Sequence, residues 1–263
     1  RMLFARFLAE NDLLMYPDPD DPVAVTLEEC EELANDEGAS NGWELAARFA
    51  SQMLPQIFQL DSPIFELSLP PEHQHKLENI VSAIPSETFK ASDSLGWVYQ
   101  FWQSKRKKSV NDAEVKIGAK ELPAVTQLFT EPYMVEWLLR TSDLSSLPRL
   151  ADASHPLSPP PMREGRGGAH GPTPNSSPRG RGLKVLDPCC GSGHFLVAAF
   201  LKLVPLRIAQ EGLSARDAVD AVLRENIYGL ELDFRCVQIA AFALALSAWQ
   251  YPDAGGYRPL PEL

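Results

Sequence analysis

The chain has 263 residues, 24 Lys+Arg against 35 Asp+Glu, a formal net charge of −11 and 44% hydrophobic residues. That length suits one large domain or two small ones, and the apolar share is enough for a real core, which excludes wholesale disorder. No apolar run approaches the roughly 18–20 residues of a bilayer-spanning helix, and the acidic balance argues against a protein that coats DNA on its own.

The start, Arg1-Met2-Leu3-Phe4, lacks the basic, apolar and small-residue zones of a signal peptide. An arginine at position 1 predicts an excerpt of a longer protein. Cys30, Cys189, Cys190 and Cys236 have no CxxC spacing and make a poor disulfide framework, so a reducing cytoplasm is the expected compartment.

Residues 1–125 read as a mainly helical region. Glu28–Asn35 and Trp43–Phe58 carry apolar residues three and four apart: Trp43, Ala46, Ala47, Ala50, Met53, Leu54, Ile57. Pro70-Pro71 precedes a further helical segment, His73–Ile84, ended by Pro85. Leu95–Lys105 pairs Trp97 with Phe101 and Val98 with Trp102 on helical faces, and the aromatics are expected in the core. Residues 126–153 contain a helix whose start is Thr130-Glu131-Pro132, a cap candidate, an acid and a first-turn proline, continuing through Tyr133–Arg140.

Residues 154–182 hold seven Pro and six Gly in 29 positions, with one Leu and one Met as the only large apolar residues. Such a stretch buries too little surface to offset its ordering entropy and reads as a disordered linker or insertion. Its four Arg and one Glu give +3, which leaves −14 on the rest of the chain.

Residues 183–263 alternate strand and helix. Lys184–Asp187 is a short apolar strand and Gly191–Gly193 a loop. Phe195–Gln210 is an apolar helix, bent or interrupted near Pro205. Ser214 caps a helix through Glu225, Ile227–Leu232 is a second strand, and Phe234–Trp249 is a helix apolar nearly all round and hence buried. This order predicts an α/β fold, the first half of a doubly wound, Rossmann-like sheet. With only two strands it reads as truncated.

The chemistry concentrates in Leu186-Asp187-Pro188-Cys189-Cys190-Gly191-Ser192-Gly193-His194-Phe195. Gly191 and Gly193 permit positive φ and close approach of a ligand to the backbone. The helix that follows offers free N–H groups and the positive end of its dipole to a carboxylate. Asp187, at the carboxyl end of its strand, can accept from a ligand ammonium group. No Gly-Lys-Ser/Thr follows, so this is not a P-loop. Glu231 falls at the end of the next strand, where an acid can hydrogen-bond both hydroxyls of a ribose. It comes 38 residues after Gly193 rather than the usual ~20, with the helix Ser214–Glu225 accounting for the excess.

Asp187–Phe195, DPCCGSGHF, is similar to the DP-x-x-GSG-x-F motif of N6-adenine DNA methyltransferases, which use S-adenosylmethionine. Asn226–Asp233, NIYGLELD, resembles their second motif, and Phe129-Thr130-Glu131-Pro132 resembles their FTP motif with one residue more. Together with LGWVYQFW and KIGAKELPAVTQLFTEPYMVEWLL upstream, the chain resembles the large methyltransferases of BREX phage-defence and type IIG restriction-modification systems over Asn41–Ser142 and Leu183–Glu262. The resemblance implies that Asp187, Pro188, Gly191, Gly193 and Phe195 line the methionine and sulfonium part of the cofactor. It implies that Thr130 and Pro132 close over it, and that Glu231 holds the ribose. Double-stranded DNA would be the substrate, gripped mainly outside these residues, with other defence-system subunits as partners and no membrane. Two rivals stand beside this reading: a methyltransferase acting on protein, RNA or a small molecule, and a non-catalytic remnant or interaction module.

The family holds its flipped base with an Asn/Asp-Pro-Pro-Tyr/Phe motif. No such tetrapeptide occurs here, so no catalytic residue is assigned and the 263 residues alone are expected to transfer no methyl group. Lys105-Arg106-Lys107-Lys108, beside Trp97 and Trp102, could grip phosphates or form a solvated helix end. His73-x-His75 lacks further ligands nearby, and no metal site is expected. Cys189 and Cys190 lie at a helix start that could depress a thiol pKa, or are small residues packed beside a ligand loop.

Overall fold

A computed structural model describes residues 2–18, 22–55, 57, 69–90, 94–113, 116–118, 121, 124–125, 130–141 and 182–263. The whole stretch 142–181 and Phe129 therefore lie outside the described residues. The chain divides into two compact units: Arg1–Lys108 with Gly256–Pro259, and Ser109–Gly255 with Leu260–Leu263.

The first unit is helical, as its apolar spacing predicts. Helix α1 (Met2–Glu10) and a two-residue antiparallel hairpin, β1 (Met15–Tyr16) with β2 (Val23–Ala24), precede the first predicted helix. Helix α2 (Leu27–Leu33) opens with a capping box: the Thr26 hydroxyl accepts from Glu29 N while the Glu29 carboxylate accepts from Thr26 N. Helix α3 (Gly42–Met53) starts under Asn41 and packs closely on α2. A Cβ on Gly42 would lie 2.8 Å from Glu31 Cα, so only glycine admits this approach. Helices α4 (Pro71–Ser82) and α5 (Ser86–Lys90) follow. Arg6 of α1 donates to the carbonyls of Val81 and Ile84, and Phe7 meets Phe89 edge to face at 5.0 Å. Leu8, Leu14, Leu45 and Phe49 form the buried centre.

Helix α6 (Ser94–Asp112) runs well past Lys105, so the basic run sits inside a helix rather than at its end. Its inward face is Tyr99 and Gln103, joined by a 2.7 Å hydrogen bond from Gln103 Nε2 to Tyr99 Oη. Phe101 is 75% exposed and Trp102 61% exposed. This corrects the expectation that the aromatics are core: at 100° per residue, position 101 lies opposite the 99/103 face and position 102 on its flank, about 80° round from its centre. The Trp97 side chain lies outside the described residues.

In the second unit, helix α7 (Pro132–Thr141) is followed by strand β3 (Val185–Asp187), helix α8 (His194–Glu211), helix α9 (Ala215–Glu225), strand β4 (Ile227–Gly229) and helix α10 (Phe234–Trp249). β3 and β4 pair in parallel, with Val185 opposite Ile227 and Asp187 opposite Gly229. Val185 and Ile227 turn toward a core of Leu196, Phe200, Leu203, Val219, Val222 and Leu244, while Leu186 and Tyr228 face outward. Each fully buried Leu or Phe contributes about 1.5–3 kcal/mol.

Two local readings change. Helix α8 continues through Pro205 without interruption, because its neighbours Leu203, Val204 and Leu206 are buried and tertiary packing outweighs the lost backbone hydrogen bond. Strand β4 stops at Gly229 instead of reaching Leu232, because the chain turns there to bring the Glu231 carboxylate onto backbone amides. Below the sheet, buried Arg207 donates to Asn226 Oδ1 (2.9 Å), Glu225 (3.0 Å) and Glu211 (3.0 Å). Asn226 in turn donates to Leu183 O at 2.6 Å, and its carbonyl accepts from Val185 N. This network ties the ends of α8 and α9 to the start of β3.

Candidate functional site

The carboxyl ends of β3 and β4 meet at a loop, Pro188–Gly193. Leu230 N donates to Asp187 O (2.9 Å) and Cys190 N donates to Leu230 O (3.0 Å), which extends the pairing beyond the strands. Asp187 folds back on the loop, its Oδ1 accepting from Cys189 N at 3.1 Å. Its Oδ2 is buried and has no hydrogen-bond partner. A desolvated carboxylate oxygen without a donor is unfavourable by about 1–3 kcal/mol or more, and a donor from a ligand removes that penalty.

Gly191 has φ +53° and Gly193 φ +88°, both in the left-handed region. Gly193 is the N-cap of α8, with no side chain capping the helix start. The two glycines serve different purposes. A Cβ on Gly193 would lie 2.9 Å from the Cβ and 3.0 Å from the Cα of Ala240, so glycine is required for α10 to pack against the loop. A Cβ on Gly191 would meet nothing within 4 Å, so the backbone there is open to a ligand.

Glu231 holds the loop from the other side. Its Oε2 accepts from Gly191 N at 2.9 Å, and its Oε1 accepts from Leu232 N (2.7 Å) and Asp233 N (2.9 Å). The acid read as a ribose holder is thus already engaged by three amides, and a carboxylate has about four acceptor sites. Asp233, missed in the sequence reading, is 7% exposed and caps α10 through Arg235 N while pairing with the Arg235 guanidinium. Its signal was present: an Asp immediately before a long apolar helix.

Cys190 wedges between the loop and β4. A Cβ on Gly229 would come within 2.9 Å of its Sγ. Burial, and then the carboxylates of Asp187 and Glu231, push its thiol up to about 11. The helix start therefore does not activate it, and the packing role is the correct one. A cavity of about 140 Å³ lies beside it, lined by Leu196, Gly229, Glu231, Val237 and Ala240 among others. That is room for a few waters and falls short of the ~300–1,000 Å³ of small-molecule sites.

Of the remaining sequence-assigned residues, Phe195 is half-buried against the core cluster, and Pro188 is exposed at the loop's outer edge. Pro132 is the first residue of α7, and the Glu131 carbonyl accepts from Met134 N and Val135 N. Val135 and Leu139 of α7 enter the same core as Leu196 and Phe200, and Lys202 of α8 pairs with Glu136 at 3.2 Å. The helix thus joins the one that starts at the glycine loop, although among the described residues Thr130 makes no hydrogen bond to that loop. No group of three or more His, Cys, Asp or Glu among the described residues could hold a metal ion, and no described helix is long and apolar enough to cross a membrane.

A strand ending in an acid, a left-handed glycine loop opening a helix, and a second acid clasping that loop come together in one short stretch of the chain. Residues 177–255 match the family described as MmeI, DNA-methyltransferase domain. The adenine-specific methyltransferase BrxX of Escherichia coli O9:H4 (strain HS) is 31% identical over 210 residues, 75% of this chain and 17% of that protein. The adenine-specific methyltransferase PglX of Lacticaseibacillus casei (strain Zhang) is 25% identical over 220 residues, 76% of this chain and 18% of that protein. The PglX of Streptomyces coelicolor is 40% identical over 81 residues, 30% of this chain. The resemblance to adenine-specific methyltransferases of the BREX and type IIG kind holds, and the chain spans less than a fifth of the length of these relatives.

Proposed function

We propose that this chain is the cofactor-holding part of a DNA adenine-N6 methyltransferase of a phage-defence or restriction-modification system, with residues 183–263 forming the first half of a Rossmann-like domain. The observation that carries it is the buried, unpartnered Oδ2 of Asp187 beside the open backbone at Gly191. Those residues fit S-adenosylmethionine, whose methionine part presents an ammonium donor. When bound, that cofactor supplies an electrophilic methyl group on a sulfonium; the nucleophile would be the amino nitrogen of adenine in DNA.

The chain's own residues bind and orient. Asp187 offers Oδ2 to the ammonium, and Gly191 lets the ligand lie against the backbone. The uncapped first turn of α8 faces the carboxylate, where its N–H groups and dipole favour negative charge. Glu231 takes one ribose hydroxyl on its remaining lone pair, and both once Gly191 N is released. Thr130 and Pro132 close the site from the segment that opens α7, and Phe195 backs it with apolar surface.

Calorimetric titration of the purified chain with S-adenosylhomocysteine tests this, beside Asp187→Ala and Glu231→Ala. Saturable binding weakened at least tenfold by both substitutions is expected. A folded chain with no binding, or binding indifferent to Asp187, would refute the assignment.

A further inference from the structure

Helix α6 carries a face that the methyltransferase reading does not use. At 100° per residue, Lys108, Phe101, Lys105 and Trp102 fall within one arc of about 120°, on the side of the helix away from the buried Tyr99 and Gln103. Phe101 and Trp102 are the most exposed aromatics among the described residues, at 75% and 61%. Lys105 and Lys108 are exposed on either side of Phe101 and pair with no described acid. The helix contains four consecutive cations and one acid, Asp112, at its end, in a chain whose net charge is −11. From Phe101 to Lys108 the stripe extends about 10 Å along the axis, roughly three nucleotides of a stacked strand.

We infer that this face of α6 is a contact for DNA with unpaired bases, the cations meeting its phosphates and Phe101 and Trp102 stacking on its bases. A solvated charge run needs no aromatics, and an apolar docking face needs no cations. Interleaving the two is the arrangement that tracks a nucleic-acid strand, where stacking tolerates any base and the backbone supplies the charge. The choice of DNA over RNA rests on the methyltransferase reading; the surface itself does not.

Fluorescence anisotropy of a labelled oligothymidylate of about 15 nucleotides, against the whole chain without cofactor and at salt from roughly 50 to 200 mM, tests it. The single strand is expected to bind more tightly than a duplex of equal length. Phe101→Ala with Trp102→Ala weakens that binding about tenfold or more. Lys105→Ser with Lys108→Ser lowers the magnitude of the salt slope by about 1.4, and Lys105→Arg with Lys108→Arg restores it. All these positions are exposed, so thermal melting stays at the wild-type value. No binding at low salt, or affinity and slope unchanged in both double variants, would overturn the surface. Duplex binding that ignores the aromatics, or preferential capture on anionic phospholipid vesicles, would overturn its specificity for unpaired DNA. Tighter binding of an oligouridylate would overturn the choice of DNA while leaving the S-adenosylhomocysteine titration unaffected.

Discussion

Replacing Gly193 by alanine separates the packing role of the glycine loop from the ligand role proposed for it. The residue sits at φ +88°, and an added methyl would lie 2.9 Å from Ala240 Cβ and 3.0 Å from Ala240 Cα. The left-handed backbone costs a non-glycine residue about 1–2 kcal/mol. Forcing a methyl into the filled space against α10 costs about 1–3 kcal/mol more. A total near 3 kcal/mol is a large share of the ~5–15 kcal/mol that holds a domain together, and in a unit of this size it lowers Tm by roughly 6–12 °C. Differential scanning calorimetry of the chain reads this directly. Gly191→Ala is the comparison: its φ is +53° but its Cβ meets nothing within 4 Å, so it loses only the conformational part, about 1 kcal/mol. Its larger effect is on S-adenosylhomocysteine affinity, since the methyl projects into the open space. Ala240→Gly in the Gly193→Ala background removes the 2.9 Å Cβ contact but neither the 3.0 Å approach to the Cα nor the backbone strain, and recovers part of the loss. If Gly193→Ala melts within a degree or two of wild type, or Ala240→Gly recovers nothing, α10 does not seat on the loop as described.

Further predictions follow from other parts of the molecule. Asn226→Ala removes an acceptor from Arg207 and the donor to Leu183 O; a loss of about 3 kcal/mol is expected in urea unfolding. Thr26→Ala breaks the capping box of α2 and lowers stability by about 1 kcal/mol by the same measurement. Glu231→Gln replaces one carboxylate oxygen by a donor, so an amide among Gly191, Leu232 and Asp233 loses its acceptor; the Gly191 amide resonance shifts, and unchanged amide spectra would contradict the clasp. The thiols of Cys30 and Cys190 are both pushed from 9.0 to about 11. An acid harder to ionise when folded makes the unfolded chain lose its protons first. Stability from these two groups is therefore full below about pH 9 and falls as the pH rises to about 11. In the Cys30→Ser, Cys190→Ser variant the fall in Tm over that window shrinks, and an unchanged fall would count against it.

Much of the second unit was legible because its signals are local. Ser214 caps α9 and Phe234–Trp249 forms α10 with the predicted ends, since an N-cap residue followed by an apolar helical run depends on nothing remote. The glycine loop was legible for the same reason. What the sequence withheld depends on contacts distant along the chain. That Gly193 faces Ala240, that Glu231 turns back onto Gly191, and that Arg207 and Asn226 lock together are facts of tertiary packing. The period of α6 placed Phe101 and Trp102 on helical faces but could not say which face turns inward; a polar pair, Tyr99 and Gln103, took that place. The hairpin of β1 and β2 joins two residues to two, too short for any alternation to register.

The closeness of Gly193 to Ala240 also constrains how such a site can diversify. The glycine loop takes its shape partly from a residue on the helix after the second strand, with 2.9 Å available where a Cβ would stand. Enlarging residue 240 would push the loop out of its left-handed turn, and enlarging residue 193 would lever α10 off the sheet. The two positions are locked in size, so a variant library that randomises the loop without holding residue 240 small would sample mostly chains in which the glycine turn has been mechanically displaced.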